Sequence, residues 1–263
     1  MAAVIPERAR PFLIGGGGLV ALVGVWWIAA ATVLSEKEIP TPAGVVAEFG
    51  DTGFDFYRAN FTGTIEEAFL GFLWGNGLAL VVASVVLLVP FMEKVIMQVA
   101  VISYCLPLVA LVPLLYVVLG PPEPGDPSPT AVVIAAISVF FTTVVGAVLG
   151  FRSADRTSLD VVSVYGGGRW QQMRRVQVVA ALPSIISSLQ IAAPTAFLGA
   201  ILGEYIGGLD RGVAPALINS AQNLNAERAW SIMFACAAVA GLGYALFGLL
   251  GRLVAPWATG KVV

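Results

Sequence analysis

A chain of 263 residues with 58% apolar and 11% charged residues departs from an ordinary soluble domain, which carries about 45–50% apolar and about 25% charged residues. A mean hydropathy of +0.89 places it among polytopic membrane proteins. The absence of histidine removes the usual metal ligand and neutral-pH proton carrier and speaks against zinc, haem, copper and histidine-based acid/base chemistry, while a net charge of −2 speaks against a nucleic-acid partner.

A membrane-spanning helix needs about 20 mostly apolar residues, and six such runs follow one another at 12–34, 69–89, 95–119, 131–149, 182–203 and 229–250. The first follows Arg8 and Arg10 but is too long, and lacks the A-x-A-like exit, for a cleaved signal peptide, so it reads as a retained membrane helix. Its Gly15 to Gly18 lie in lipid with no preceding strand and no following Gly-Lys-Ser/Thr, which makes them packing residues rather than a phosphate loop. The chain is therefore not itself an ATPase. Residues 35–68 read as a long acidic loop, and the second run carries Gly71, Gly75 and Gly77, again expected to let helices approach closely.

The third run contains Pro107 and Pro113, and the fifth contains Pro194. Each removes a backbone hydrogen bond and predicts a kink. Broken helices in membranes often line cavities, so Tyr104, Pro107, Pro113 and Pro194 are candidate pathway residues, with structural kinking alone as the other reading. Between the third and fourth runs, residues 121–129 (PPEPGDPSP) are too proline-rich for a helix or strand and form an extended loop. Cys105 and Cys236 sit apart in apolar runs without partners and read as small buried hydrophobes.

Six spans put both termini on one side, and Lys and Arg decide which. With the termini cytoplasmic, Arg8, Arg10, Lys94, Arg152, Arg156, Arg169, Arg174, Arg175, Arg252 and Lys261 lie inside and only Lys37, Arg58, Arg211 and Arg228 outside. Glu204, directly after the fifth run, is then the lone intramembrane ionisable residue, near the outer interface. It is a gate or a structural pairing partner at the pathway mouth, or else an exposed interfacial residue.

The longest inside loop, residues 151–181, holds five of these bases. Residues near 159–165 predict a short amphipathic helix, Gly166 to Gly168 a turn, and 169–179 a restarting helix that enters the membrane at Leu182-Pro183. Anchoring by positive charge alone does not call for the run Gly166-Gly-Gly-Arg-Trp170.

This loop resembles that of the membrane subunits of ATP-binding-cassette importers. Asp160 stands at the acidic position, Gly166 six residues later and Val176 ten further on, before Leu182-Pro183. Ile39-Pro-Thr-Pro42, Leu106-Pro-Leu-Val-Ala-Leu-Val-Pro-Leu114, Gly150-Phe-Arg152 and Gly203-Glu204 are similar to the branch that imports nitrate, sulfonates, taurine and the pyrimidine precursor of thiamine.

The resemblance implies an all-α integral membrane protein of the type I importer permease fold, with six transmembrane helices and both termini cytoplasmic, in a bacterial inner membrane. It implies an N-terminal helix and outer loop (1–60), a permease core (61–255) with a cytoplasmic coupling loop (151–181), and a C-terminal tail (256–263). Such a chain binds no cofactor and is not catalytic. It forms half of a pathway with a second permease subunit, identical or related, and works with two cytoplasmic ATPases that bind ATP and Mg, an extracytoplasmic solute-binding protein, and membrane lipid.

The resemblance also assigns ATPase coupling to Asp160, Tyr165, Gly166, Gly167, Gly168, Arg169, Trp170, Arg174 and Arg175. For the three arginines, carboxylates on the ATPase and lipid phosphates are both suitable partners. The cargo is a small sulfonate-, nitrate-, taurine- or pyrimidine-like solute, or alternatively an aromatic acid or vitamin-like heterocycle. An ion-coupled secondary carrier, the competing class, needs more buried carboxylates than Glu204.

Overall fold

The computed structural model describes residues 10–32, 39–205 and 211–259. Arg8, Lys37 and Lys261, assigned to flanks and loops above, lie outside the described residues. Among the described residues every regular element is helical: α1 (Arg10–Ala31), α2 (Pro42–Thr52), α3 (Phe54–Leu88), α4 (Glu93–Cys105), α5 (Leu108–Leu119), α6 (Pro129–Arg152), α7 (Arg156–Val164), α8 (Arg169–Gln172), α9 (Val178–Glu204), α10 (Val213–Gln222) and α11 (Ala226–Val254).

Helix starts follow from local chemistry. Thr41 and Ser128 each precede a proline at the first helical position, and their side chains accept from Gly44 N (3.2 Å) and Ala131 N (3.4 Å). A hydroxyl satisfies an orphan N–H, and proline supplies the φ the helix needs while donating no N–H where none is used. Asp155 caps α7 in the same way through Ser158 N at 3.1 Å.

Among the described residues four helices are long and apolar enough to cross a membrane: α3, α6, α9 together with the turns that precede it, and α11. The segment expected as one kinked helix at 95–119 is two helices bent by 92°. The break falls at Leu106, which is extended (φ −66°, ψ 129°), the conformation that a following proline favours. Pro113, Pro183 and Pro194 instead sit inside helices that continue through them.

The loop expected at 35–68 is in part helical. It contains α2, and α3 begins at Phe54 rather than at 69. Asp55, Arg58, Glu66 and Glu67 lower the hydropathy of a stretch that nevertheless keeps a helical spacing of buried positions, Phe61, Thr64, Ala68 and Gly71. Of the two cysteines, Cys105 is exposed and Cys236 only partly buried, so neither is the fully buried hydrophobe expected.

The chain divides into two compact units. The first, Met1–Arg58 with Ala216–Ala235, is held by an aromatic stack and an ion pair. Trp26 of α1 stacks on Trp230 (5.3 Å) and Phe234 (5.6 Å) of α11. Arg228 donates through Nε to Glu48 Oε1 of α2 at 2.9 Å and lies over the Phe56 ring at 5.7 Å. In this unit Gly15 to Gly18 have nothing among the described residues within reach of an added Cβ.

The second unit, Ala59–Pro215 with Cys236–Val263, centres on α6, whose main partner is α9. The two run antiparallel with backbones almost touching. A Cβ on Gly203 would run into Ala131 Cα. One on Gly199 would lie 2.7 Å from Ala135 Cα, and one on Gly150 would lie 3.1 Å from Ala181 Cα. Ser184 on α9 donates its hydroxyl to Gly146 O on α6 at 2.8 Å. On its other side α6 takes Gly71 and Gly75 of α3 against Ala135 and Ala136. Where lipid supplies no hydrophobic drive between helices, this close approach is what holds them.

Gly203→Val should destabilise the protein by about 1–3 kcal/mol through overpacking, whereas Gly77→Ala, with no atom in reach of the new Cβ, should be neutral or stabilising by up to about 1 kcal/mol from helix propensity. Thermal unfolding of the two full-length variants in the same detergent measures the contrast.

Candidate functional site

At one end of the second unit, α6 ends in Arg152, which pairs with Glu93 in the first turn of α4. Each charge favours its own helix end, since cations stabilise C-termini and anions N-termini. Beyond lies the loop 151–181. In α7 no residue is buried, and Val161, Val164, Tyr165 (88% exposed) and Trp170 (59%) present large apolar surfaces.

The turn after α7 has a definite geometry. Gly166 is left-handed (φ +80°). Gly167 N donates to Val162 O at 2.8 Å and Gly166 N to Ser163 O at 2.9 Å, the paired closure of a Schellman cap. Gly167 is constrained by space instead, because a Cβ there would meet Val162 Cγ1 at 2.5 Å and Val162 O at 2.7 Å. Gly168 starts α8, and Gln172 reaches back to donate to Leu159 O (3.1 Å) and Ser163 Oγ (2.8 Å). The helix–turn–helix expected here is therefore present and internally braced. The restart passes through a π-helical turn, Met173–Gln177, of the kind often found at functional sites. Asp160, Arg169, Arg174 and Arg175 are all exposed.

The other expected residues lie apart from this loop. Tyr104 stacks on Phe141 of α6 at 4.7 Å, Pro107 sits at the α4–α5 break, and Pro113 and Pro194 lie within α5 and α9. Glu204, at the last turn of α9, is only 2% exposed, which removes the interfacial-exposure reading and leaves the paired one. Its Oε1 accepts from Thr64 Oγ1 of α3, and its Oε2 accepts from Ala214 N at 2.9 Å. Thr64 Oγ1 in turn accepts from Val213 N at 3.1 Å. The hydroxyl and the carboxyl thus take two of the N–H groups that open α10, where a negative charge is favoured. Gly212 is required beside them because a Cβ would lie 2.7 Å from Glu204 Oε2.

Sequence reasoning placed Glu67 in a solvated loop. It is 3% exposed, its Oε1 accepts from Ser128 N at 2.7 Å, and it faces Glu204 closely enough to interact directly. The signal that could have found it is the helical spacing of Thr64, Glu67, Gly71 and Gly75 on one buried face. Both carboxyls line a cavity of about 560 Å³ walled by the proline-rich segment 121–127.

Residues 75–260 match the family described as the binding-protein-dependent transport system inner membrane component. The chain belongs to this family. It is similar to a riboflavin transport system permease protein of Chloroflexus aurantiacus, 28% identical over 240 residues that cover 90% of this chain and 87% of the relative. It is similar as well to a formylaminopyrimidine transport permease protein of Halalkalibacterium halodurans, 22% identical over 236 residues (90% and 92%). A Bacillus subtilis permease named for aliphatic sulfonates is 25% identical over 257 residues (96% and 90%).

The protein is thus the permease component of an ATP-binding-cassette transporter for small solutes, a membrane subunit and not the catalytic one. In this permease Thr64→Val leaves the Glu204 carboxyl and the Val213 N–H each short of a buried partner. The expected cost is about 1–3 kcal/mol, read as a lower unfolding temperature of the full chain in detergent.

Proposed function

We propose that this permease forms half of the translocation pathway of an ATP-driven importer in a bacterial inner membrane, and that the loop 151–181 couples it to the ATPases. The observation that carries the coupling is the braced, unburied helix α7 with its Schellman turn. A soluble loop would not leave Val161, Val164, Tyr165 and Trp170 uncovered, and a rigid two-turn knob is what a cleft in a moving partner can push.

In this reading Asp160, Tyr165 and Trp170 seat in that cleft, and Gly166, Gly167 and Gly168 shape the turn. Arg169, Arg174 and Arg175 meet ATPase carboxylates or lipid phosphates. Six helices span the membrane with both termini cytoplasmic, the bent α4–α5 pair counting as one span. Residues 1–60 form the first helix and outer segment, 61–255 the permease core, and 256–263 a tail. Two cytoplasmic ATPases hold ATP and Mg, a second permease, identical or related, completes the pathway, and an extracytoplasmic binding protein delivers the solute. Tyr104, Pro107, Pro113 and Pro194 line the pathway near the α4–α5 break, and Glu204 closes its outer end through Thr64 and α10.

The cargo is a small solute of the sulfonate, nitrate, taurine or pyrimidine class, or a vitamin-like heterocycle such as the riboflavin named for one relative. An ion-coupled secondary carrier gains a second buried carboxyl from Glu67, but family membership and the uncovered coupling loop support ATP-driven transport.

Gly166→Val forces a β-branched side chain into the left-handed region. The reconstituted transporter should lose solute-stimulated ATPase activity and transport, while membrane insertion and the monodispersity of the chain stay at wild-type level. Full activity in this variant would remove the loop from the coupling path.

A further inference from the structure

Glu67 and Glu204 bring two carboxyl groups together inside the protein, 3% and 2% exposed, with a hydrogen bond between the two side chains. Capping explains the other bonds of the pair but not this one. Carboxylate oxygens only accept, so two ionised carboxyls cannot form it and one of them must carry a proton. Among the described residues no lysine or arginine is bonded to either group, and two like charges in contact away from water are not both kept.

The donors around the pair say which group is neutral. Glu204 accepts from the Thr64 hydroxyl through Oε1 and from Ala214 N through Oε2, at the opening of α10, where a negative charge is favoured. Glu67 accepts from Ser128 N through Oε1, whereas its Oε2 is buried and receives no N–H or O–H. Oε2 is therefore the oxygen with room for a hydrogen, and the Glu204 carboxylate, with about four acceptor sites, can still take it. The other charged and titratable groups near the pair are Glu66 of α3, Glu123 and Asp126 of the segment before α6, Arg211 before α10 and the Cys236 thiol of α11. The acids outnumber the one base, and their field opposes a second negative charge at the contact.

We propose that Glu67 and Glu204 share one proton, carried on Glu67 Oε2 and donated to the Glu204 carboxylate, and that this proton latches the adjoining ends of α3, α6, α9 and α10. Ser128 N fixes the start of α6 to Glu67, and Ala214 N fixes the start of α10 to Glu204, so the bond between the carboxyls joins the two. Loss of the proton sets two negative charges face to face at that link and opens the latch. This deepens the reading of Glu204 as the closure of the outer end and rests on that reading only for its place in the pathway, since the proton is read without transport.

The test is infrared spectroscopy of the full chain near neutral pH in dodecylmaltoside, which has no carbonyl of its own. The carbonyl band of a protonated carboxyl is expected, although exposed carboxyls, which titrate at about pH 4, are ionised there. Glu67→Gln, whose amide keeps an acceptor for Ser128 N and a donor for Glu204, should abolish the band. Glu204→Gln, which changes what the proton bonds to, should shift or remove it, and Glu66→Gln on the exposed neighbour should leave it in place. Absence of the band in the folded wild-type chain overturns the proposal without any variant, and an unaltered band in either Glu67→Gln or Glu204→Gln, whichever folds, overturns the assignment.

A second measurement reads the latch. With no histidine in the sequence, no ordinary side chain titrates between about pH 6 and 7.5. A folded chain that holds one proton more than the unfolded chain loses stability as pH rises, by about tenfold in the unfolding constant per pH unit. The unfolding temperature of the wild-type chain should fall across this window and that of Glu67→Gln should stay level. A level wild-type curve overturns the latch.

Discussion

The close contact of α6 with α9 is the constraint on which the rest of the second unit depends. Both helices are apolar on every face, so burial of apolar surface does not choose their pairing in lipid. The choice falls to shape. Gly199 and Gly203 on α9 and Gly146 and Gly150 on α6 remove the side chains that would separate the backbones, and Ser184 adds a hydrogen bond across the seam. Because α6 also receives Gly71 and Gly75 of α3, it is a shared wall, and α3 and α9 both take their register from its row of alanines, Ala131, Ala135 and Ala136. That register brings Thr64 and Glu67 of α3 to the same level as Glu204 of α9.

The seam also determines what α9 can transmit. At 1.5 Å per residue its 27 residues extend about 40 Å from the π-helical turn after the loop to Glu204 at the start of α10. A helix locked along its length by small-residue contacts moves as a rod, and interfaces of this kind shift between discrete arrangements rather than deform smoothly. The loop proposed to meet the ATPases and the carboxyl cluster at the far end are therefore two ends of one element. The π turn at Met173–Gln177 is the place in that rod where the backbone departs from regular α-helix geometry, immediately next to the proposed point of push.

Much of this was readable from residue types because the chemistry is local. Thr41-Pro42 and Ser128-Pro129 announce helix starts by cap and fixed φ, and Gly166 announces a left-handed closure. The unread parts have non-local causes. Residues 54–68 carry enough charge to look like a loop, and their helix is stabilised by what α3 packs against rather than by hydropathy. Pro107 was read as a kink, whereas the restriction on Leu106 produced a full break. Pro194 was read the same way, yet its helix runs on, since packing and neighbouring groups compensate the lost bond. Glu67 was invisible because a single charged residue reads as solvated until the face it shares with Thr64, Gly71 and Gly75 is known to be buried.

That last residue alters how the absence of histidine should be understood. A pathway subunit that draws its energy from ATPases needs no proton carrier in the membrane, and the composition agrees. Yet the chain keeps two carboxyls within its best-packed region, where burying a charge is expensive unless it is paired. For Glu204 the compensation is visible: the Ala214 N–H at the start of α10 and the Thr64 hydroxyl, which itself accepts from Val213 N, and together these tie α9, α3 and α10 into one joint. For Glu67 it is Ser128 N together with the Glu204 carboxyl that it faces. Replacing Glu67 with an apolar residue of similar size would leave the buried Ser128 N–H without its acceptor, a cost of about 1–3 kcal/mol, so this carboxyl fixes the start of α6 against α3.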